Sequence, residues 1–254
     1  MALFTDGSIS STTDLQNYES NILGISSTEG IDLDSKMTLA QDQIANELLV
    51  FMLRRVPASD LRWNSRRSNG TSDVAVTPPL KQWHALKTLA MIYRDAYNNQ
   101  LNDRYQKKWD EYEKLAKVSA ETYLQIGVGI VADPLPKPAL PLLVGVTGSG
   151  RASTYYVAVT WANLAGEESS ASDIAAVTTS DGQDVAVSIA GPPANASGWN
   201  VYAGEAPVPL VLQNDIPLGM NDTWTGNTIR PGRLAGTGQK PTWFLVDHKV
   251  IERG

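Results

Sequence analysis

Ten residues near the middle of the chain, Gly145-Val-Thr-Gly-Ser-Gly-Arg-Ala-Ser-Thr154, have the make-up of a phosphate-binding loop. Such a loop needs a lysine for the β- and γ-phosphates, then a hydroxyl for magnesium, in the order G-x4-G-K-[ST], and it must open a helix. Gly145 and Gly150 have the spacing, but Arg151 stands where the lysine belongs and Ala152 where the hydroxyl belongs. The residues that follow, TYYVAVTWA (154–162), alternate with period two and are rich in β-branched and aromatic side chains, which predicts a strand. The run is expected to be a turn between two strands.

The remaining chemistry is sparse. Cysteine is absent, which removes disulfides, thiolate zinc sites and cysteine nucleophiles. Of the two histidines, His84 follows Trp83 in a helical stretch with no second ligand four residues away, so a packed or surface role is expected rather than metal ligation. His248 follows Asp247, and adjacent residues on a strand point to opposite faces, which is poor geometry for a dyad. Glu167-Glu168 and the Asp32/Asp34 pair fall in turns or helix caps. Trp161, Trp199 and Trp224 could stack on sugars, but core packing is the commoner use of such residues. No catalytic, metal or cofactor-binding residue is assigned, and neither an enzymatic activity nor a cofactor is expected.

The elements around these residues come in two kinds. Thr13-x-x-Gln16 has the form of a capping box opening a helix through LQNYESNIL, and Asp34 is positioned to cap the next. Met37, Ala40, Ile44, Leu48, Phe51 and Met52 then repeat at three- and four-residue steps until Pro57 stops the pattern. Thr77-Pro-Pro starts a further helix with the stripe Trp83, Leu86, Ala90, Tyr93 and Tyr97. Asp103 is placed to cap another, with stripe Tyr105, Trp109, Tyr112, Ala116, Ser119 and Tyr123, ending at Gly127. Between the helices, residues 57–77 form a long connection in which Arg62, Trp63, Arg66 and Arg67 make a basic patch with an aromatic anchor, readable as a surface loop or a partner contact.

Pro134, Pro136, Pro138 and Pro141 predict a semi-rigid extended connector. Beyond it, Tyr155, Val157, Val159 and Trp161 share one face of a strand, and Val185, Val187 and Ile189 one face of another. About seven short strands in roughly a hundred residues predict an immunoglobulin- or fibronectin-like sandwich. The terminal TWFLVDHKVIERG has an apolar face of Phe244, Val246 and Val250, with Trp243 beside it, and is expected to add as a strand to a neighbouring molecule or to fold back on its own helical domain. The fold class is thus multidomain α+β in four parts: a helical domain over 1–130, a proline-rich linker over 131–141, a β-sandwich over 142–231 and an extended arm over 232–254.

The net charge of −6 is unevenly spread, with −7 over residues 1–53, +6 over 54–117 and −5 over 118–254. Such a bipolar chain favours contacts between copies, or else solvated faces. Residues 1–11 have neither the basic nor the apolar region of a signal peptide and no run reaches membrane-spanning length, so the Asn69, Asn195 and Asn221 glycosylation patterns are expected to be chance matches.

The stretches ESNILGISSTEGIDLDSKMTLAQDQIANEL and PLKQWHALKTLAMIYRDAYNNQLNDRYQKKWDEY resemble the helical head-to-tail connector (adaptor) proteins of tailed bacteriophages. YYVAVTWANLAGEESSAS, GWNVYAGE and LVLQNDIPLG are similar to fibronectin-like modules of phage neck, tail and head-associated proteins. The resemblance implies a structural virion protein of the neck, assembled in the host cytoplasm as a homo-oligomeric ring, normally a dodecamer. That ring docks beneath the portal protein, extends the channel for double-stranded DNA and carries a downstream tail or neck protein, with no membrane contact. Partner-binding residues are expected among Arg62, Trp63, Arg66, Arg67, Trp243, Phe244, Val246 and Val250. The alternative is a tail- or capsid-surface module whose sandwich recognises a host glycan or protein.

Overall fold

The computed structural model describes residues 1–54 and 70–246. Among the described residues five helices precede a β region, an α+β layout with the helices N-terminal. Two compact units form, and neither is one continuous stretch: the helical unit takes the described residues of Gly7–Ala132 and those from Pro241, the β unit Met1–Asp6 and Asp133–Lys240. This differs from the four-part division, because the first six residues and residues 232–240 join the β unit.

In the helical unit, α1 (Thr12–Tyr18), α2 (Ile22–Glu29), α3 (Leu33–Leu53), α4 (Pro78–Gln100) and α5 (Asp103–Ile126) follow in order. The single helix expected through LQNYESNIL is two, broken between Tyr18 and Ile22. Three caps sit one or two residues earlier than expected. Ser11 forms the capping box with Asp14, Asp32 accepts from the Asp34 amide, and Asn102 accepts from the Arg104 amide. Neighbouring Ser, Asp and Asn residues compete for the role, and the winner is the last with extended backbone before the first turn. Thr77 does occupy the N-cap of α4, with proline in the first turn.

All six stripe residues of α3 are buried. Aromatic rings join α4 to α5: Trp83 with Tyr123 at 5.9 Å, Tyr93 stacked on Tyr112 at 5.5 Å, and Tyr97 with Trp109 at 6.2 Å between centroids. Lys87 of α4 reaches Glu47 of α3 at 2.5 Å, and Lys36 pairs with Asp95. After α5, the strand β1 (Val128–Ile130) runs between a bridge to Val74 and the last described strand, β9 (Trp243–Leu245).

The β unit contains two antiparallel sheets. One has the order β2 (Leu142–Thr147), β5 (Gln183–Ser188), β8 (Trp224–Gly226). The other has the order β4 (Ala175–Thr179), β3 (Ser153–Ala162), β6 (Gly198–Gly204), β7 (Val211–Leu212). Both feed one core, in which Tyr155, Val157, Val159 and Trp161 meet Val185, Val187, Trp199 and Val201. The proline stretch is built into this unit. Leu135 lies in the core, its amide donates to Gln239 Oε1 at 2.6 Å, and the Lys137 amide donates to Asp6 Oδ1 at 2.8 Å. The Met1 amine donates to the Gln239 carbonyl, 238 residues away in sequence.

Candidate interaction surface

The glycine run is the turn from β2 to β3. Its Ser149 and Gly150 amides, the groups a phosphate would take, donate to Asp184 Oδ1 at 3.0 and 2.9 Å, and the Ala152 amide donates to Asp181. Glycine is required here by close approach, since a Cβ on Gly150 would stand 2.2 Å from the Gln183 carbonyl. The chain's own carboxylates therefore fill the role that an anion would have in a nucleotide site.

His84 is fully buried, with Nδ1 2.6 Å from Ser10 Oγ and Nε2 2.9 Å from the Met37 carbonyl. A carbonyl only accepts, so Nε2 carries the proton and the Ser10 hydroxyl donates to Nδ1. Burial pushes the imidazole pKa down, which favours the neutral ring. Ser10 and His84 thus tie the segment before α1 to α4, and Met37 ties both to α3. Trp161 and Trp199 are core residues, and Trp199 Nε1 donates to the Gly219 carbonyl at 2.8 Å, so neither offers a face to a sugar. Among the described residues, no three His, Asp or Glu side chains gather where a cation could sit.

Of the expected partner-binding residues, Arg62, Trp63, Arg66, Arg67 and Val250 lie outside the described residues, as does His248. Trp243, Phe244 and Val246 are brought together on the returning arm. Its register is Val128 with Leu245, Gly129 with Phe244 and Ile130 with Trp243. The Thr242 amide donates to the Ile130 carbonyl, and Thr242 Oγ1 accepts from the Ala132 amide. Over these residues the arm folds back on its own helical unit, with β1 pairing one edge of β9 in a two-stranded sheet. Glycine makes the crossing possible: a Cβ on Gly127 would lie 2.7 Å from Val246 Cγ1, and one on Gly129 2.8 Å from the Pro241 ring. The side chains are less complete than the backbone, for Trp243 remains 42% and Phe244 50% exposed.

A second feature was not read from the sequence. Helices α3, α4 and α5 border a groove of about 300 Å³ floored by Trp83, Ala90, Met91, Trp109, Ala116 and Ala120. Charged side chains rim it, among them Glu47 and Lys87, which pair, and Glu113 and Lys117 of α5. The signal in the sequence was three alanines, Ala90, Ala116 and Ala120, beside two tryptophans. Small residues beside large ones leave a hollow unless a third helix fills it.

Comparison with known protein families and with curated proteins finds no match to this chain.

Proposed function

We propose that the chain is a structural virion protein, a head-to-tail adaptor of a tailed bacteriophage that assembles as a ring, twelve-fold in this reading. The observation that carries the proposal is the surface of the helical unit. Three long helices leave a tryptophan-lined groove open, and the adjoining arm keeps Trp243 and Phe244 half exposed. Apolar hollows and exposed aromatics rimmed by charge are features of protein-binding surfaces. The resemblance of α2–α5 to connector helices supplies the partner class: neighbouring copies, the portal above and a tail or neck protein below. The acidic balance suits a channel wall, because fixed negative charge repels phosphates and lets DNA slide.

The β unit is proposed as a fibronectin- or immunoglobulin-like module appended to that adaptor. Its three- and four-stranded antiparallel sheets around one core support this reading. Recognition of a host glycan through Trp161 or Trp199 is disfavoured, since both are buried, whereas Trp224 is half-buried and lines a hollow. Electron microscopy of the purified full chain tests the proposal. Closed rings with a central channel are expected end-on. Isolated particles of one copy at every concentration tried would contradict it.

A further inference from the structure

Helix α5 has a second apolar row besides the one facing the core. Leu115, Val118, Thr122 and Ile126 follow at three- and four-residue steps, and the three aliphatic members are 42%, 52% and 52% exposed. The groove described above lies on the other flank of the same helix, where Trp109, Glu113, Ala116, Lys117 and Ala120 line it. At about 100° per residue the ridge and the groove point roughly 160° apart around the α5 axis.

We infer that copies of this chain join head to tail, the Leu115–Val118–Ile126 ridge of one seating in the Trp83–Trp109–Ala120 groove of the next. The inference rests on the ring reading and names the interface that would build it. A heterologous contact needs two different, complementary patches on one molecule, and it closes only if they are turned by the right angle. In a ring of twelve whose axis runs parallel to α5, the orientation this interface requires, the two faces of a subunit stand about 150° apart, close to the angle on α5. Rotation about a ring axis parallel to α5 moves nothing along that axis, so ridge and groove must also lie at one level. They do. Trp83 meets Tyr123 and Tyr93 meets Tyr112, which sets Lys87 of α4 level with Val118 of α5. Lys87 pairs with Glu47, bringing α3 to the same level.

The charges agree with this seating. Lys114 and Glu121 flank the ridge and are exposed, and Glu113 and Lys117 line the groove. None of the four has an ion-pair partner among the described residues. At equal level, Lys114 comes beside Glu113 of the next copy, and Glu121 stands about one turn along the axis from its Lys117, within reach of the long lysine side chain. Shape places small alanines opposite branched aliphatic side chains, as interdigitated packing requires.

The absence of cysteine makes the contact directly testable in the full chain. The double variant Val118→Cys/Glu47→Cys carries one thiol on each flank. Mild oxidation is expected to give a ladder of covalent multimers on a non-reducing gel, while either single variant gives none. Val118→Asp, at an exposed site, should keep the helical circular dichroism and raise the concentration for half-assembly about tenfold or more. A double variant that forms rings of wild-type mass but no ladder overturns the interface and leaves the ring reading standing. Covalent dimers from Val118→Cys alone would mean a two-fold contact and would also overturn it. Wild-type protein that stays monomeric defeats the ring reading itself.

Discussion

In the β unit, polar groups turn on one another. Glu168 accepts from Asn200 Nδ2 and the Tyr202 hydroxyl, each at 2.7 Å, from Thr160 Oγ1 at 3.3 Å and from Arg233. Its exposed apolar strand residues, such as Leu142 and Val144, lie beside the small Ser188 and Ala186 of β5, and a broad hollow of about 990 Å³ elsewhere in the unit is lined by Ser149, Arg151, Tyr155, Glu205 and Asn227. The helical unit is built differently. Its aromatic seam is complete between α4 and α5, yet it leaves an open groove on one flank of α5 and an aliphatic ridge on the other. Under the proposed function, the β unit is the self-contained module, and the helical unit, with its groove and ridge, is the part that would assemble.

Four perturbations test that contrast. The largest effect is expected where a tryptophan is finished inside a unit. Trp199→Ala should cost about 3–5 kcal/mol, because the side chain is fully buried, whereas Trp243→Ala on the half-exposed arm should cost under about 1 kcal/mol. Denaturant unfolding of both variants reads the difference, and equal losses would break the contrast. Next comes Gly127→Ala, in the helical unit. Its φ of 113° disfavours any side chain, and the new methyl meets Val246 and Phe244, so a loss of about 1–3 kcal/mol is expected. A neutral result would show that the arm is not held against β1.

A third test uses pH. Burial lowers the pKa of His84 in the folded protein, so the unfolded chain binds the proton more readily. The stability is complete above the unfolded value of about 6.5. It should fall as pH drops through that value, by at most about 1.4 kcal/mol per pH unit, and His84→Gln should flatten the slope. The β unit responds higher, since burial lowers the Met1 amine from its ordinary 8.0 and its loss begins as pH falls below that value. The smallest effect belongs to Tyr123→Phe. The Tyr123 hydroxyl is buried without a hydrogen-bond partner among the described residues, so its removal should be neutral or gain up to about 1 kcal/mol by thermal melting.

The parts legible in the sequence were those whose signal is local. The α3 stripe and the inward row of β3 are periodic over a few turns or residues, and burial follows that period directly. Caps slipped by one or two residues because adjacent polar side chains are nearly equivalent until the backbone decides between them. What stayed hidden was long-range. The proline content of 134–141 announces an extended chain, but not that Leu135 enters a core. The aromatic arm announces a strand, but its partners come from far away, as with the Ala132 amide and Thr242, 110 residues apart. Gly127 and Gly129 were the trace of that pairing, since both sit where the arm crosses. The groove was harder still, because it is a space between three helices and no single helix encodes it. The expected basic contacts at Arg62, Trp63, Arg66 and Arg67 fall outside the described residues.

Native mass spectrometry of the full chain at micromolar concentration tests the central claim most directly. A 27.5 kDa chain that closes into a ring of twelve gives a single species near 330 kDa, with no ladder of intermediate sizes at saturation. A particle of one or two copies at every concentration and salt would contradict the account.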